Sequence, residues 1–91
     1  MKHKIEISTR FKKDYKLLEK RGYNLDLLKE VIATLANEEK LAEHYMDHSL
    51  KGEYLGYREC HITPDWLLIY RIEENILILA LTRTGTHSDL F

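Results

Sequence analysis

The N-terminal third of the chain changes from an alternating pattern to a helical one. Residues 2–8 alternate polar and apolar side chains, with Ile5 and Ile7 on one face, which predicts a half-buried β-strand. Apolar residues then recur at helical spacing in two segments. They are Phe11, Tyr15 and Leu18 in the first segment and Leu28, Val31, Ile32 and Leu35 in the second.

Capping residues mark the ends of these two segments. Ser8 or Thr9 stands where it can cap the first helix, and Asn24 stands where it can cap the second. Gly22 suits the end of the first helix, where a left-handed backbone is needed. We therefore expect a two-helix hairpin whose apolar stripes pack on a sheet.

The second half of the chain contains an irregular segment and then three strand candidates. Residues 37–53 are polar and predict a surface segment. The strand candidates are residues 54–62, 66–72 and 76–82, separated by turn residues at 63–65 and 73–75. The predicted fold class is α+β in a single domain, residues 1–91, with an N-terminal strand, a two-helix hairpin and an antiparallel sheet meander.

Antiparallel pairing around the two turns predicts which polar side chains meet. Simple hairpins place Asp65 opposite Arg83 and bring His61 to the same end of the sheet. They also place Trp66 opposite Thr82. A slip by one residue would change the face of these side chains but not the end at which they lie.

Two further histidines can reach this end from outside the meander. A turn at Gly85 can fold His87 back onto it. His48 lies in the irregular segment, so only a tertiary contact that the sequence does not specify can bring it there.

These residue types suit the cleavage of an RNA phosphodiester. Histidines titrate near neutral pH and serve as general base and general acid. Arg83 suits a phosphate group, Asp65 can orient a histidine, and Trp66 and Phe91 can stack on an unpaired base. RNA carries its own nucleophile, the 2′-hydroxyl, so we expect neither a metal nor a cofactor.

Purely structural roles remain open for the same residues. Asp65 and Arg83 can form a cross-strand ion pair, which contributes little if it is exposed. Trp66 can simply pack in the core. His44 and His48, four residues apart, can form half of a metal site if they lie on a helix.

Composition and charge indicate the surface character of the protein and its cellular location. The 91 residues are 44% hydrophobic and 32% charged, with a net charge of −1. The first 21 residues contain eight Lys/Arg and three Asp/Glu, a net +5, which permits one basic face. The single cysteine, Cys60, and the lack of a long apolar stretch predict a cytoplasmic protein without a membrane partner.

Four motifs resemble a known toxin family. They are DHSLKG at residues 47–52, GYR at 56–58, HITPDWLLIY at 61–70 and RTGTHSDLF at 83–91. All four are similar to the YafQ-like branch of the RelE/ParE toxin superfamily, whose RelE-like microbial ribonuclease fold has the same element order.

The resemblance implies an activity and its partners. Members of this branch are ribosome-dependent endoribonucleases that cleave messenger RNA in the ribosomal A site and so inhibit translation. A cognate antitoxin of the DinJ/RelB type silences the toxin, and the complex binds operator DNA through the antitoxin. The calculated pI of about 6.5 departs from the basic character of ribosome-binding toxins.

The resemblance also implies roles for individual residues. The catalytic set carried over to this chain is His48, His61, Asp65 and His87. Arg83 would stabilise the phosphate, and Trp66 and Phe91 would place the RNA.

Two other functions compete with this interpretation. One is a non-catalytic, ParE-like toxin that binds a protein such as DNA gyrase. The other is a metal-dependent hydrolase that uses His44, His48 and His61.

Overall fold

The computed structural model describes residues 3–91, so Lys2 of the predicted first strand lies outside the described residues. Four of the five strands and the two long α-helices follow one another in the order that the sequence predicts, and a short strand and a short C-terminal helix are additional. In chain order the elements are β1 (Lys4–Ile7), α1 (Thr9–Lys20), α2 (Leu25–Ala36), β2 (His48–Ser49), β3 (Arg58–Thr63), β4 (Trp66–Glu73), β5 (Ile78–Gly85) and α3 (His87–Leu90).

The five strands form one mixed sheet in the order β1-β5-β4-β3-β2. The meander β3–β4–β5 is antiparallel, as predicted, whereas β1 pairs in parallel with β5. The helical hairpin causes this parallel pairing, because it carries the chain away from β1 before the meander begins. The α+β fold class is therefore confirmed, and the prediction of a single domain over residues 1–91 stays a prediction.

The predicted caps begin both long helices. The Ser8 hydroxyl accepts a hydrogen bond from the Phe11 amide at 2.9 Å and donates one to the Thr82 carbonyl at 2.7 Å. The Asn24 side chain accepts from the Asp26 amide at 3.2 Å. Gly22 follows α1 with φ of +80°, a conformation that side chains other than glycine adopt at a cost.

The central strand β4 is buried on both of its faces. Leu68 and Tyr70 join the larger core beneath α1 and α2, while Leu67 and Ile69 face the opposite side with Leu90 of α3. Loop residues complete the cover of this second face: Leu50, Tyr54 and Tyr57. A strand buried on both faces reads as a continuous apolar run, as residues 66–70 do.

The register predicted for the last hairpin is wrong. Arg83 pairs with Ile69 rather than Asp65, and Thr84 pairs with Leu68. The turn is longer than three residues, because a 3₁₀ turn at Glu74–Ile76 is followed by Leu77 in a left-handed conformation with φ of +53°. A bulge in β5 at Thr82, opposite the step from Ile69 to Tyr70 of β4, shifts the pairing again.

The irregular segment before β3 is held to the sheet by one carboxylate. Asp47 accepts hydrogen bonds from the Tyr70 hydroxyl and, at 2.6 Å, from Arg58. Burial is the main reason that the pKa of Tyr70 is raised, with the Asp47 contact second. These contacts place β2, which the sequence did not predict, beside β3.

Replacing Ser8 tests the link between β1, α1 and β5. We expect Ser8→Ala to lower the free energy of unfolding by about 1–2 kcal/mol, because it removes both the helix cap and the bond to Thr82. Thr9→Ala is the matched control, since Thr9 is exposed and is not the cap. Urea denaturation measures both, and equal effects would contradict the assignment.

Candidate active site

Three imidazole rings lie in a row on the sheet face opposite α1 and α2. The ring centres of His48 and His61 are 6.3 Å apart, and those of His61 and His87 are 6.1 Å apart. Phe91 continues the row 6.1 Å beyond His87. Asp65 lies beside this row, with its Oδ1 3.6 Å from His87 Nδ1. The structure thus brings together the four residues predicted to be catalytic.

His48 is held between two acceptors. Its Nδ1 lies 2.8 Å from the Met46 carbonyl, and its Nε2 lies 3.0 Å from Glu59 Oε2. These two contacts fix the orientation of the His48 ring at the edge of the site.

Glu59 is a site residue that the sequence analysis missed. It is only 5% exposed, and its Oε1 has no hydrogen-bond partner among the described residues. Strand alternation could have indicated it, because Glu59 lies two residues before His61 and therefore on the same face of β3. A buried carboxylate so placed exerts a strong local field.

The ring of His61 has a different hydrogen-bonding environment from that of His48. Its Nδ1 lies 3.4 Å from the carbonyl of Pro64 in the turn that follows β3. An acceptor on that side favours the tautomer with the proton on Nδ1, which leaves a lone pair on Nε2. His61 therefore presents a basic nitrogen to a ligand.

A capping box positions His87 at the start of α3. The Thr86 hydroxyl accepts from the Asp89 amide, and the Asp89 carboxylate accepts from the Thr86 amide. Gly85 permits this packing, because a Cβ there would come within 2.9 Å of the Asp89 carboxylate. The carboxylate also forms a two-point pair with Arg21, at 2.8 and 3.3 Å.

Arg83 is bound to α1 and not to Asp65, so the cross-strand ion pair is excluded. Its Nε and Nη2 donate to Asp14 at 2.7 and 3.1 Å, and these bonds are the main reason that its pKa is raised. The Tyr54 hydroxyl interacts with it as well. The Tyr54 ring lies 5.9 Å from Phe91, so Arg83 lies next to the phenylalanine end of the row.

The two aromatic residues predicted to hold RNA have different positions. Phe91 is 63% exposed and can stack on a base. Trp66 is 2% exposed, donates to the Thr84 hydroxyl at 2.9 Å and packs edge-on against Tyr23. The stacking role predicted for Trp66 is wrong, because β-strand alternation turns its ring into the helix-side core.

The described residues offer no metal site at the histidine row. His44 stacks on Tyr45 with ring centres 4.1 Å apart. Within residues 3–91, one group of three His/Cys/Asp/Glu side chains is close enough to share an ion, and none of its members belongs to the row. That group is His3, Glu38 and Glu74. The set His44, His48 and His61 is therefore not a metal-binding cluster in this structure.

The chain is similar to a described family over almost its whole length. Residues 3–91 match the family described as a bacterial toxin of type II toxin-antitoxin systems, YafQ. The chain belongs to the YafQ family. It is 42% identical to the mRNA interferase toxin YafQ of Escherichia coli (strain K12) over 88 residues, which cover 96% of this chain and 94% of that protein.

Solved structures of YafQ toxins have the same fold. The crystal structure of YafQ from E. coli strain BL21(DE3) superposes with a TM-score of 0.92 at 40% identity and 98% coverage of both chains. YafQ from the E. coli DinJ-YafQ complex gives 0.90 at 41% identity, again covering 98% of both. A metal-bound toxin from Helicobacter pylori gives 0.91 at 48% identity over 100% of both.

No helix within residues 3–91 of this YafQ-family chain has the length and apolar character needed to cross a bilayer.

The ionisation of Asp89 makes the stability of the segment that carries His87 depend on pH. Its contact with Arg21 is the main cause that lowers the pKa of Asp89 from 3.8 to about 2. A lowered folded-state pKa gives stability that is present above pH 4 and is lost as the pH falls through 2. We expect the difference in unfolding free energy between wild type and Asp89→Asn to be constant above about pH 5 and to decrease as the pH falls towards 2.

Denaturant titrations at a series of pH values measure this difference. Glu53→Gln serves as the control, because Glu53 is exposed and lies outside α3. A difference that stays unchanged down to pH 2 would show that the Asp89 charge does not stabilise the tail.

Proposed function

We propose that this YafQ-family chain is a metal-independent endoribonuclease that cleaves messenger RNA on the ribosome. The observation that supports the proposal is the row of three imidazole rings, accompanied by Asp65 and an exposed Phe91. A surface that only binds a protein has no need of a base and an acid about 6 Å apart. We place the reaction in the cytoplasm, where translating ribosomes are found.

The proposed reaction begins at His61. Its Nε2 takes the proton of the RNA 2′-hydroxyl, and the resulting oxygen attacks the adjacent phosphorus. His87 gives a proton to the leaving 5′-oxygen, and Asp65 attracts the protonated form of that ring across 3.6 Å. The products are a 2′,3′-cyclic phosphate and a free 5′-hydroxyl.

Two cationic groups would stabilise the charge that develops on the phosphorane. The protonated form of His48 would be one of them, since its ring lies next to His61 and 3.0 Å from Glu59 Oε2. Arg83 lies near the other end of the row, where Asp14 holds its Nε and Nη2 and so fixes the orientation of the guanidinium. Phe91 would stack on a base next to the cleaved bond.

An antitoxin partner is part of the same proposal. Family membership places this chain among toxins of type II toxin–antitoxin systems, and a relative has been crystallised as the DinJ-YafQ complex. We infer that a DinJ/RelB-type antitoxin encoded beside this gene silences the toxin, and that the complex binds operator DNA through the antitoxin.

Alanine substitution tests the catalytic roles. We expect His61→Ala and His87→Ala each to slow cleavage by about 10²–10⁴-fold, because each removes a proton-transfer group. Both variants should keep the wild-type fold, since neither ring is part of the core. His44→Ala is the control, because its exposed ring lies outside the row.

Mapping of RNA 5′ ends in a translation reaction measures these rates and reports whether cuts keep codon phase. Full activity of a folded His87→Ala variant would refute its role as the acid. Inhibition of DNA gyrase without RNA cleavage would favour the ParE-like alternative.

A substrate change tests the nucleophile independently of the protein. A messenger RNA with a single 2′-deoxynucleotide on the 5′ side of the cut should resist cleavage there, because the attacking oxygen is missing. The same RNA should still be cut at other codons. Cleavage at the deoxy position at the normal rate would mean that water, and not the 2′-hydroxyl, attacks the phosphate.

A further inference from the structure

A buried histidine lies directly before β1, and its ring has no hydrogen-bond partner. The His3 side chain is only 2% exposed, and neither ring nitrogen has a partner among the described residues. A buried imidazole in this state costs free energy, because it has lost its bonds to water and has gained none in exchange. A ligand that binds one of these nitrogens would recover part of that cost.

Two glutamates bring carboxylates to the same imidazole. Glu74 Oε2 lies 3.7 Å from His3 Nε2, which is too far for a hydrogen bond. Glu38 supplies a second carboxylate, and one ligand atom from each of the three residues lies within 4.8 Å of the other two. Two ligand atoms on a tetrahedral zinc ion lie about 3.3 Å apart, because each bond is about 2.0 Å long. Small rotations of the two exposed glutamate side chains would therefore close the set around an ion.

Backbone hydrogen bonds hold together the three segments that carry these side chains. The His3 amide donates to the Ala36 carbonyl, and the Lys4 amide donates to the Leu77 carbonyl, both at 2.7 Å. These bonds join the start of β1 to the end of α2 and to the turn between β4 and β5, where the two glutamates lie. A site whose segments are already fixed loses less conformational entropy when it binds a ligand.

The backbone of Glu38 occupies a position at the end of α2 that glycine usually takes. Its φ is +61°, its amide donates to the Leu35 carbonyl, and the Glu39 amide donates to the Thr34 carbonyl. This pair of bonds is a Schellman motif, in which a left-handed residue other than glycine costs free energy. Glutamate is thus not the most stable residue for this turn, but it places a carboxylate beside His3.

The cavity around the imidazole combines apolar walls with negative charge. Leu35 and Ile72 line it together with His3. Its charged lining residues are three glutamates and one lysine, namely Glu38, Glu39, Glu74 and Lys40. Because the carboxylates outnumber the ammonium group, the lining attracts a cation, and the apolar walls strengthen that attraction by excluding water.

We propose that His3, Glu38 and Glu74 bind a divalent transition-metal ion of the Zn²⁺ class. Zinc accepts imidazole nitrogen and carboxylate oxygen together, whereas Mg²⁺ and Ca²⁺ prefer oxygen ligands alone. His3 supplies Nε2, each glutamate supplies one oxygen, and water completes the coordination. The ion links the start of β1 to the end of α2 and to the β4–β5 turn, so its role is structural.

The proposed metal site and the histidine row lie at opposite ends of the sheet. Glu74 follows the last residue of β4. His61 and His87 lie near its first residue, because Leu67 pairs with both His61 and Gly85. β4 is eight residues long, which corresponds to about 23 Å of strand. An ion at this site is too distant to contact the row, so the inference does not depend on the proposed function.

Titration calorimetry with ZnCl₂ tests the site in the full chain without an affinity tag. Wild type should bind zinc, and Glu74→Gln should bind it more weakly by roughly tenfold or more, because the variant loses a charged ligand but keeps the shape of the side chain. Glu53→Gln is the matched control, since Glu53 is an exposed glutamate outside the cavity. MgCl₂ is the control cation and should bind more weakly than zinc.

A second variant removes the imidazole. Zinc at 100 times its Kd should raise the melting temperature of wild type by roughly 10 °C, and it should leave that of His3→Leu unchanged. Leucine has a similar volume and suits a buried position. If His3→Leu does not fold, Glu74→Gln still decides the question, because the Glu74 side chain is 73% exposed and its replacement leaves the core intact.

Zinc bound by the histidine row is the outcome that must be separated. The triple variant His48→Ala/His61→Ala/His87→Ala removes the row imidazoles and should keep the zinc affinity assigned to His3 and the two glutamates. Glu74→Gln should cleave RNA at the wild-type rate, and slower cleavage would contradict the structural role. Absence of zinc binding by wild type would overturn the inference. Wild-type affinity in Glu74→Gln, loss of zinc binding in the triple variant, or equal affinity for Mg²⁺ would each overturn it as well.

Discussion

The burial of β4 on both faces is the constraint on which the rest of the structure depends. Two helices cover one face, but Leu67 and Ile69 on the other need a second cover. That cover is made by the loop after β2 and by α3, through Leu50, Tyr54 and Leu90. His48 lies in β2 directly before that loop, His87 begins α3 and Phe91 follows it, so the packing that shields β4 from water assembles the candidate site.

Local sequence patterns predicted the parts of the fold that depend on local physics. The helical stripes, the caps at Ser8 and Asn24 and the meander follow from spacing and turn chemistry. The register of the last hairpin does not, because Leu77 adopts a left-handed backbone without a glycine to signal it. Strand β2 is two residues long and is held by tertiary contacts of Asp47. Such contacts produce no periodic pattern in the sequence.

The sequence predicted those residues of the candidate site that lie at strand ends and turns. His61 and Asp65 flank a short turn, and the family resemblance supplied His48 and His87. Trp66 was misassigned because alternation permits either face, and the better packing partner, Thr84, became its neighbour only through the shifted register. Glu59 escaped notice because a carboxylate in a strand is usually exposed, whereas this one is buried and contacts His48.

The shifted register of the β4–β5 hairpin also determines how Asp14 holds Arg83. β1 ends at Ile7, so β5 beyond Leu81 has an open edge, and α1 passes there. Asp14 accepts from the Thr84 amide on that edge at 3.1 Å and holds the Arg83 guanidinium with the same carboxylate. A guanidinium held at Nε and Nη2 loses rotamer freedom before any RNA arrives. Through Asp14, helix α1 therefore orients the cation that we propose for the phosphate.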